Sequence, residues 1–482
     1  MEENVQFKHI KKNTIVSTMS LFFQSGYSAV LGLVANLVLT ILLSPDAFGI
    51  YITVLSLISL LNYFSDIGLA ASLIQKKELH DDDIKTTFTT QQILIITAIT
   101  VGFIVTPFIR QFYALPIEGI YLYWALLISF FISSLKTIPS IFLERKIQFQ
   151  KIVLVQIIEN TFFYISVIIF ALLGFNLRSF TIAVLLRAIV GLIVIYRISP
   201  WMPRIGISRK SLKHLLTFGL PFQASSFLAL FKDDLITLFL AKILGFQGVG
   251  YIGWAKKWAE APIRIIMDSI SRVLFPVISR LQHDKLQITK ILNKILYYQT
   301  LLLAPTLIGS AFLMTIFVDI VPKYHKWTPA LPIFYMFCFS AFLSTYSTPF
   351  INMFNALGKA RTPFTFMLLW TITTWICTPL FTQMFGIYGF PITQIILSLT
   401  FVLVVYQAKK LLTFEFIPSI YKGLSSALVM GVFVYLVQVM LGHTYLSFLT
   451  SLVVGVSSYI VTIQILFKVN VVDDIKSIFR HE

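Results

Sequence analysis

Apolar runs of about 20 residues recur along almost the whole chain, and no stretch between them is long and polar enough to form a soluble domain. A run of this length crosses the hydrocarbon core of a bilayer, roughly 30 Å thick, as one α-helix. Hydrophobic residues make up 57% of the 482 residues and charged residues 12%, which is not the composition of a soluble globular protein. The sequence therefore predicts an all-α, polytopic membrane protein.

The apolar runs predict about 14 transmembrane helices, which are called predicted spans 1 to 14 in chain order. Their approximate bounds are 15–43, 48–74, 88–109, 117–140, 152–174, 178–196, 214–243, 249–276, 295–318, 330–355, 363–385, 388–408, 423–441 and 445–467.

Lysine and arginine are distributed unevenly between the two sides of the predicted membrane. When the N-terminus is placed inside, most of the 38 basic residues lie in the inner segments and few lie in the outer loops. The positive-inside rule then places both termini in the cytoplasm. The net charge of +17 is explained by this topology, so no nucleic-acid partner is predicted.

Two short motifs occur twice, at an offset of about 200 residues. LFFQSGYS around Gln24 matches LPFQASSF around Gln223, and SPDAFGIY at 44–51 matches GFQGVGYI at 245–252. A constant offset indicates duplication of a unit of six spans. Because six is even, both copies enter the membrane from the same side, as parallel repeats do.

The match of Asp66 with Asp268 extends the same repeat. It predicts an N-terminal lobe of six helices at 1–205 and a C-terminal lobe of six helices at 206–412. Residues 413–482 then form two extra transmembrane helices and a cytoplasmic tail.

Predicted spans 7 and 8 hold an unusual concentration of charge. Span 8 contains the stretch GWAKKWAEAPIRIIMDSISRVLFP, in which charges of alternating sign recur every four residues: Lys256, Glu260, Arg264, Asp268 and Arg272. Side chains at this spacing lie on one side of a helix and can pair. Because charges facing lipid are costly, the row is expected to face other helices or water. Pro221 and Pro262 are expected to bend or break these two spans.

Three interpretations of this charge remain open from the residues alone. It is a structural ladder of ion pairs, or it marks a re-entrant segment, or it lines a polar lumen that handles a charged substrate. For the lumen, the substrate-binding candidates are Arg264, Lys257, Lys256, Lys232, Arg187 and Arg272. The candidates for coupling to H⁺ or Na⁺ are Asp233, Asp234, Glu260, Asp268, Asp66 and Glu159. The ladder is expected to close mostly within spans 7 and 8, with few ion pairs to the N-terminal lobe.

No cofactor, metal site or catalytic residue is predicted. No histidine or cysteine pair has metal-ligand spacing, and no Ser-His-Asp arrangement occurs at the outer face. An integral-membrane polysaccharide polymerase or acyltransferase is the enzyme alternative. The short outer loops argue against it, so the chain is predicted not to be an enzyme.

Two stretches resemble a known family. FSDIGLAASLIQKKELHDDDIKTTF at 64–88 and APIRIIMDSISRVLFPVISRLQHD at 261–284 are similar to signature stretches of the Wzx-like flippases, the polysaccharide-exporter branch of the multidrug/oligosaccharidyl-lipid/polysaccharide flippase superfamily. The resemblance is close to exporters of the colanic-acid and teichuronic-acid type and covers about residues 10–410. A multidrug antiporter of the same superfamily is the alternative.

The resemblance implies two six-helix lobes in a V around a central cavity, plus two C-terminal helices. It implies flipping of undecaprenyl-diphosphate-linked oligosaccharide across the bacterial cytoplasmic membrane, among membrane lipids and beside a polysaccharide polymerase and its chain-length machinery. Related lipid II flippases carry arginines in their first helix. Here that span has only Gln24 and Asn36 as strongly polar residues, which disfavours a lipid II role.

Overall fold

The computed structural model describes residues 2–65, 67–76 and 78–467. Side chains within these ranges are described except at 2–15, 18, 22, 62, 64, 65, 218, 220–229, 269, 272 and 273. Asp66 therefore lies outside the description, and so does the side chain of Arg272. Every regular element in the described ranges is a helix and none is a strand, so the all-α prediction is confirmed.

Seventeen α-helices follow one another along the described chain. They are α1 (Glu2–Leu42), α2 (Pro45–Ser65), α3 (Leu69–Gln75), α4 (Asp81–Tyr113), α5 (Ile117–Ser134), α6 (Thr137–Arg145), α7 (Phe149–Leu172), α8 (Arg178–Ile198), α9 (Arg209–Arg280), α10 (Lys285–Ile320), α11 (Leu331–Thr345), α12 (Thr348–Ala356), α13 (Arg361–Phe385), α14 (Gly389–Leu399), α15 (Phe401–Lys409), α16 (Phe416–Leu441) and α17 (Tyr445–Phe467). Short 3-10 helices precede α11 at His325–Ala330 and α14 at Gly386–Tyr388.

Eleven helical stretches of the described residues are long and apolar enough to cross a membrane. Two of them, Leu230–Asp268 and Arg361–Lys409, each contain an interruption where the sequence predicts the turn between two spans. Predicted span 2 is divided into α2 and α3, and its apolar part, Pro45–Leu61, is shorter than the others. These differences account for the gap between eleven stretches and about 14 predicted spans.

The interruption in α9 is at Gly245, whose φ of 69° and ψ of 178° are not helical. This backbone conformation is open to glycine and strained for other residues. The helix continues through Pro221 and Pro262, so neither proline breaks it, and a bend at either one stays a prediction. A proline removes one hydrogen bond, and a spanning helix tolerates that loss when neighbouring groups satisfy the freed carbonyl.

The chain forms two compact units, Met1–Gly250 and Tyr251–Glu482. In the first unit α7 packs against α1 and α8, and α5 packs against α8 and α2. In the second unit α16 and α17 pack against each other and against α10, while α11 and α13 pack against α14. The predicted lobe boundary near residue 205 remains a prediction about the repeat.

Candidate functional site

The predicted row of charges lies on the second half of α9, after the interruption at Gly245. Glu260 is its centre: Oε2 accepts a hydrogen bond of 3.0 Å from Nη2 of Arg264, and Oε1 lies 3.8 Å from Nζ of Lys256. Asp268 has no cation within 4.0 Å among the described side chains. One carboxylate therefore holds two cations, one turn before it and one turn after it, on the same side of the helix.

The cations of this row are not covered by the rest of the chain. The side chain of Arg264 is 73% exposed and that of Lys256 is 36% exposed, although both lie within a stretch that is apolar enough to span a membrane. Lys257 is adjacent and lies about 100° further around the helix axis. An arginine that is exposed and held by one carboxylate keeps free N–H donors for a further anionic group.

An aromatic cluster fixes the rotation of this helix half. Trp254 is fully buried and stacks on Trp327 with 5.4 Å between ring centroids. Its Nε1–H donates to the hydroxyl oxygen of Tyr324 at 3.1 Å. Two residues further along the helix, Nζ of Lys256 lies 6.0 Å from the ring centroid of Phe390 on α14. The sequence does not reveal these anchors, because tryptophans in an apolar run indicate only a core.

The remaining candidates of α9 lie in its first half. Nζ of Lys232 is 2.9 Å from Oδ1 of Asp233, its neighbour in the chain, and both side chains are partly exposed. Asp234 follows directly. Lys232 and Asp233 thus pair with each other.

Arg187 and Glu159 lie at the interface of α7 and α8. The guanidinium of Arg187 lies 5.7 Å from the ring centroid of Phe163. Glu159 is buried, and its Oε1 is 2.5 Å from Nζ of Lys136. The absence of a side chain at Gly191 leaves space for the carboxylate of Glu159, because a Cβ at position 191 would lie 1.6 Å from Oε1 of Glu159. Glu159 is therefore committed to a closed pair, which argues against a role in ion coupling.

We expect Glu159→Ala to lower the free energy of unfolding by about 3–5 kcal/mol, because it leaves the ammonium of Lys136 buried without its partner. Unfolding of the purified protein in detergent measures this. Glu118→Ala is the matched control, since it breaks the exposed pair with Arg178 at 3.2 Å and should cost less than about 1 kcal/mol. Equal losses of unfolding free energy in the two variants would show that the buried pair stabilises the fold no more than the exposed pair does.

In the described part of the first family-like stretch, 67–76 and 78–88, buried polar groups bind one another. Asp83 is 1% exposed, accepts from Nζ of Lys76 at 2.6 Å and accepts from the backbone N–H of His80 at 3.0 Å. Arg145 donates from Nη1 to the carbonyl oxygens at the end of α3, those of Leu73, Ile74 and Lys76. The described charges of this stretch stabilise the connection between α3 and α4.

The repeated turns at 44–51 and 245–252 contact each other. A Cβ on Gly49 would lie 1.7 Å from the carbonyl oxygen of Phe246, and a Cβ on Gly250 would lie 2.0 Å from that of Pro45. Gly49 and Gly250 occupy the sixth position of their motifs, and Pro45 and Phe246 the second. The two glycines therefore make reciprocal contacts from equivalent positions of the two motifs.

Sequence comparisons with known proteins find proteins of polysaccharide biosynthesis and transport. The sequence model of a family described as "Polysaccharide biosynthesis protein" matches residues 38–332. The succinoglycan biosynthesis transport protein ExoT of Rhizobium meliloti (strain 1021) is 21% identical over 337 residues, 70% of this chain and 68% of the relative. The lipopolysaccharide biosynthesis protein WzxC of Escherichia coli (strain K12) is 25% identical over 347 residues, with the same two shares.

Solved structures show the same fold. The inward closed conformation of the lipid II flippase MurJ superposes with a TM-score of 0.76 at 17% identity, covering 94% of this chain and 99% of that one. An inward-facing multidrug transporter of the MATE family superposes with a TM-score of 0.56 at 16% identity, covering 81% of this chain and 94% of that one. The fold is thus shared by a lipid flippase and by drug transporters.

Proposed function

Because the chain belongs to the polysaccharide biosynthesis protein family, whose sequence model matches more than half of it, we propose that it flips undecaprenyl-diphosphate-linked oligosaccharide across the bacterial cytoplasmic membrane by alternating access. It is a transporter and not an enzyme. The observation that carries the proposal is the row Lys256, Glu260 and Arg264 on a membrane-spanning stretch of α9. A polysaccharide polymerase and its chain-length machinery would then receive the flipped product.

The row suits an anionic head group. A diphosphate that leaves water needs replacement donors, and the fork of an arginine supplies paired N–H groups for phosphate oxygens. Glu260 keeps Arg264 and Lys256 on one side of the helix before the substrate arrives. Two cations thus share the carboxylate of Glu260, and Lys257 is the next residue after Lys256, so the local charge favours an anion.

This charge balance also separates the two transporter candidates. The multidrug antiporter alternative requires a site that prefers cationic compounds, and a site dominated by Lys256, Lys257 and Arg264 repels them. Shared fold does not decide between the two, because both types of transporter superpose on the chain. The charge of the site is the feature that favours the lipid-linked sugar.

Ion coupling is proposed at the carboxylates of α9. Asp268 is the first candidate, because Arg264, its neighbour in the predicted row, pairs with Glu260. Glu260 and Asp233 are weaker candidates, since each already pairs with a cation.

The positive-inside distribution of lysine and arginine further supports a cytoplasmic location for both termini.

Reconstitution in liposomes tests the function. The purified protein is expected to move an undecaprenyl-diphosphate-linked oligosaccharide between leaflets, read out as protection of the sugar from a membrane-impermeant glycosidase. Imposed H⁺ and Na⁺ gradients are the two coupling arms, and Asp268→Asn should remove the dependence on the coupling ion. Efflux of a cationic dye without any movement of the oligosaccharide would contradict the proposal and support the antiporter.

A further inference from the structure

A second site lies at the first turns of α9, within the unit Met1–Gly250. A cavity of about 640 Å³ opens between the connection from α3 to α4 and the first turns of α9. Its lining includes Lys76, His80, Asp83, Lys210, Lys213 and His214. It lies at the side that the positive-inside rule assigns to the cytoplasm, next to the start of the spanning helix α4.

The charges around this cavity do not cancel. The carboxylate of Asp83 is already bound by Lys76 at 2.6 Å and by the backbone N–H of His80. Lys210 and Lys213 are exposed, and no carboxylate of the described residues lies within 4.0 Å of either ammonium. Asp82 is the one further carboxylate among the lining residues. Two unpaired cations one helical turn apart therefore face a concave surface.

The scaffold behind these lysines is rigid. The segment before α9 is bound to α4, because the backbone N–H groups of Gly206 and Ser208 donate to the hydroxyls of Thr89 and Thr86, each at 2.9 Å. This binding aims the first turn of α9 at the cavity. The helix dipole adds to the attraction that the lysines exert on an anion.

We propose that this cavity binds a phosphate group, carried by an anionic lipid of the cytoplasmic leaflet. The ammonium groups of Lys210 and Lys213 are donors for phosphate oxygens, whereas the N–H of Ser211 already donates to Oγ of Ser208. The cavity's place beside the end of a spanning helix puts its ligand at the depth of lipid headgroups. This site is separate from the row at Glu260, and the proposal does not depend on what the protein transports.

Direct binding tests the site. The purified full chain is placed in nanodiscs of phosphatidylcholine, and binding of added phosphatidylglycerol is measured by native mass spectrometry after release from the disc. Soluble pyrophosphate is titrated in a separate calorimetric arm. The double variant Lys210→Gln/Lys213→Gln should bind phosphatidylglycerol roughly 30-fold more weakly, as the loss of two surface cations predicts. Lys290→Gln/Lys294→Gln removes two exposed lysines near the start of α10 and is the matched control.

Each outcome decides the proposal. Loss of phosphatidylglycerol binding in the first variant with retention in the control supports a lipid phosphate site. Binding of pyrophosphate that the same variant loses supports the phosphate site and assigns a soluble source. Equal lipid binding by wild type and both variants, with no pyrophosphate binding, overturns it. The thermal midpoint of each variant must stay within a few degrees of wild type, and Lys210→Arg/Lys213→Arg should restore binding.

Discussion

Arg264→Ala is expected to reduce flipping of the lipid-linked oligosaccharide by about 100-fold, since truncating one partner of a charged pair at a binding site costs several kcal/mol. The folded protein should be little affected. The Arg264 side chain is 73% exposed and its recorded ion pair is with Glu260, one turn away. The variant should therefore lose transport without losing thermal stability, measured in the same preparation.

Two further variants sharpen this prediction. Arg264→Lys keeps the charge but not the forked donors, so its activity should fall between those of wild type and Arg264→Ala. Arg280→Ala removes an exposed arginine from the last turn of the same helix and should flip normally. Normal flipping by Arg264→Ala at normal abundance would remove Arg264 from the substrate site.

Gly250→Ala is expected to cause a large loss of stability for so small a change in the side chain. The added Cβ would lie 2.0 Å from the carbonyl oxygen of Pro45, which belongs to backbone and not to a flexible side chain. The two turns would have to separate, at a cost of several kcal/mol for the lost packing. Gly49→Ala should behave alike, because its Cβ would lie 1.7 Å from the carbonyl oxygen of Phe246.

Gly26→Ala is the control for this pair. Gly26 lies in α1 with nothing within 4 Å of the added Cβ, so alanine there should be neutral or slightly stabilising through its effect on the unfolded chain. The stability of all three variants is measured by thermal unfolding in detergent and by the yield of monodisperse protein. Unchanged midpoints for Gly250→Ala and Gly49→Ala would mean that the repeated turns do not contact as described.

The sequence predicted the helical membrane fold well, because spans of about 20 apolar residues carry a strong signal. It also placed the row of charge correctly on one helix, since a spacing of four residues needs no tertiary information. The repeat at 44–51 and 245–252 was visible too. The sequence did not indicate that the two motifs touch. Only the structure shows that Gly49 and Gly250 make reciprocal contacts.

Other features could not be predicted because they depend on which side chains meet. Lys136 and Glu159 belong to different predicted spans, and nothing in either span indicates that Gly191 makes room for their contact. The prolines of α9 predicted a bend or break, but the helix is interrupted at Gly245. The binding candidates Arg264 and Lys256 remain predictions, and Asp66 lies outside the described residues.

The central claim is that Arg264 contacts the diphosphate of the substrate, and a binding cycle tests it most directly. The dissociation constants of undecaprenyl diphosphate-linked and monophosphate-linked oligosaccharides are measured for wild type and for Arg264→Ala. If the guanidinium contacts the phosphates, removing one phosphate should weaken binding to wild type by about tenfold or more and change binding to the variant little. The same loss in both proteins would show that Arg264 and the diphosphate are not coupled, and would contradict the account.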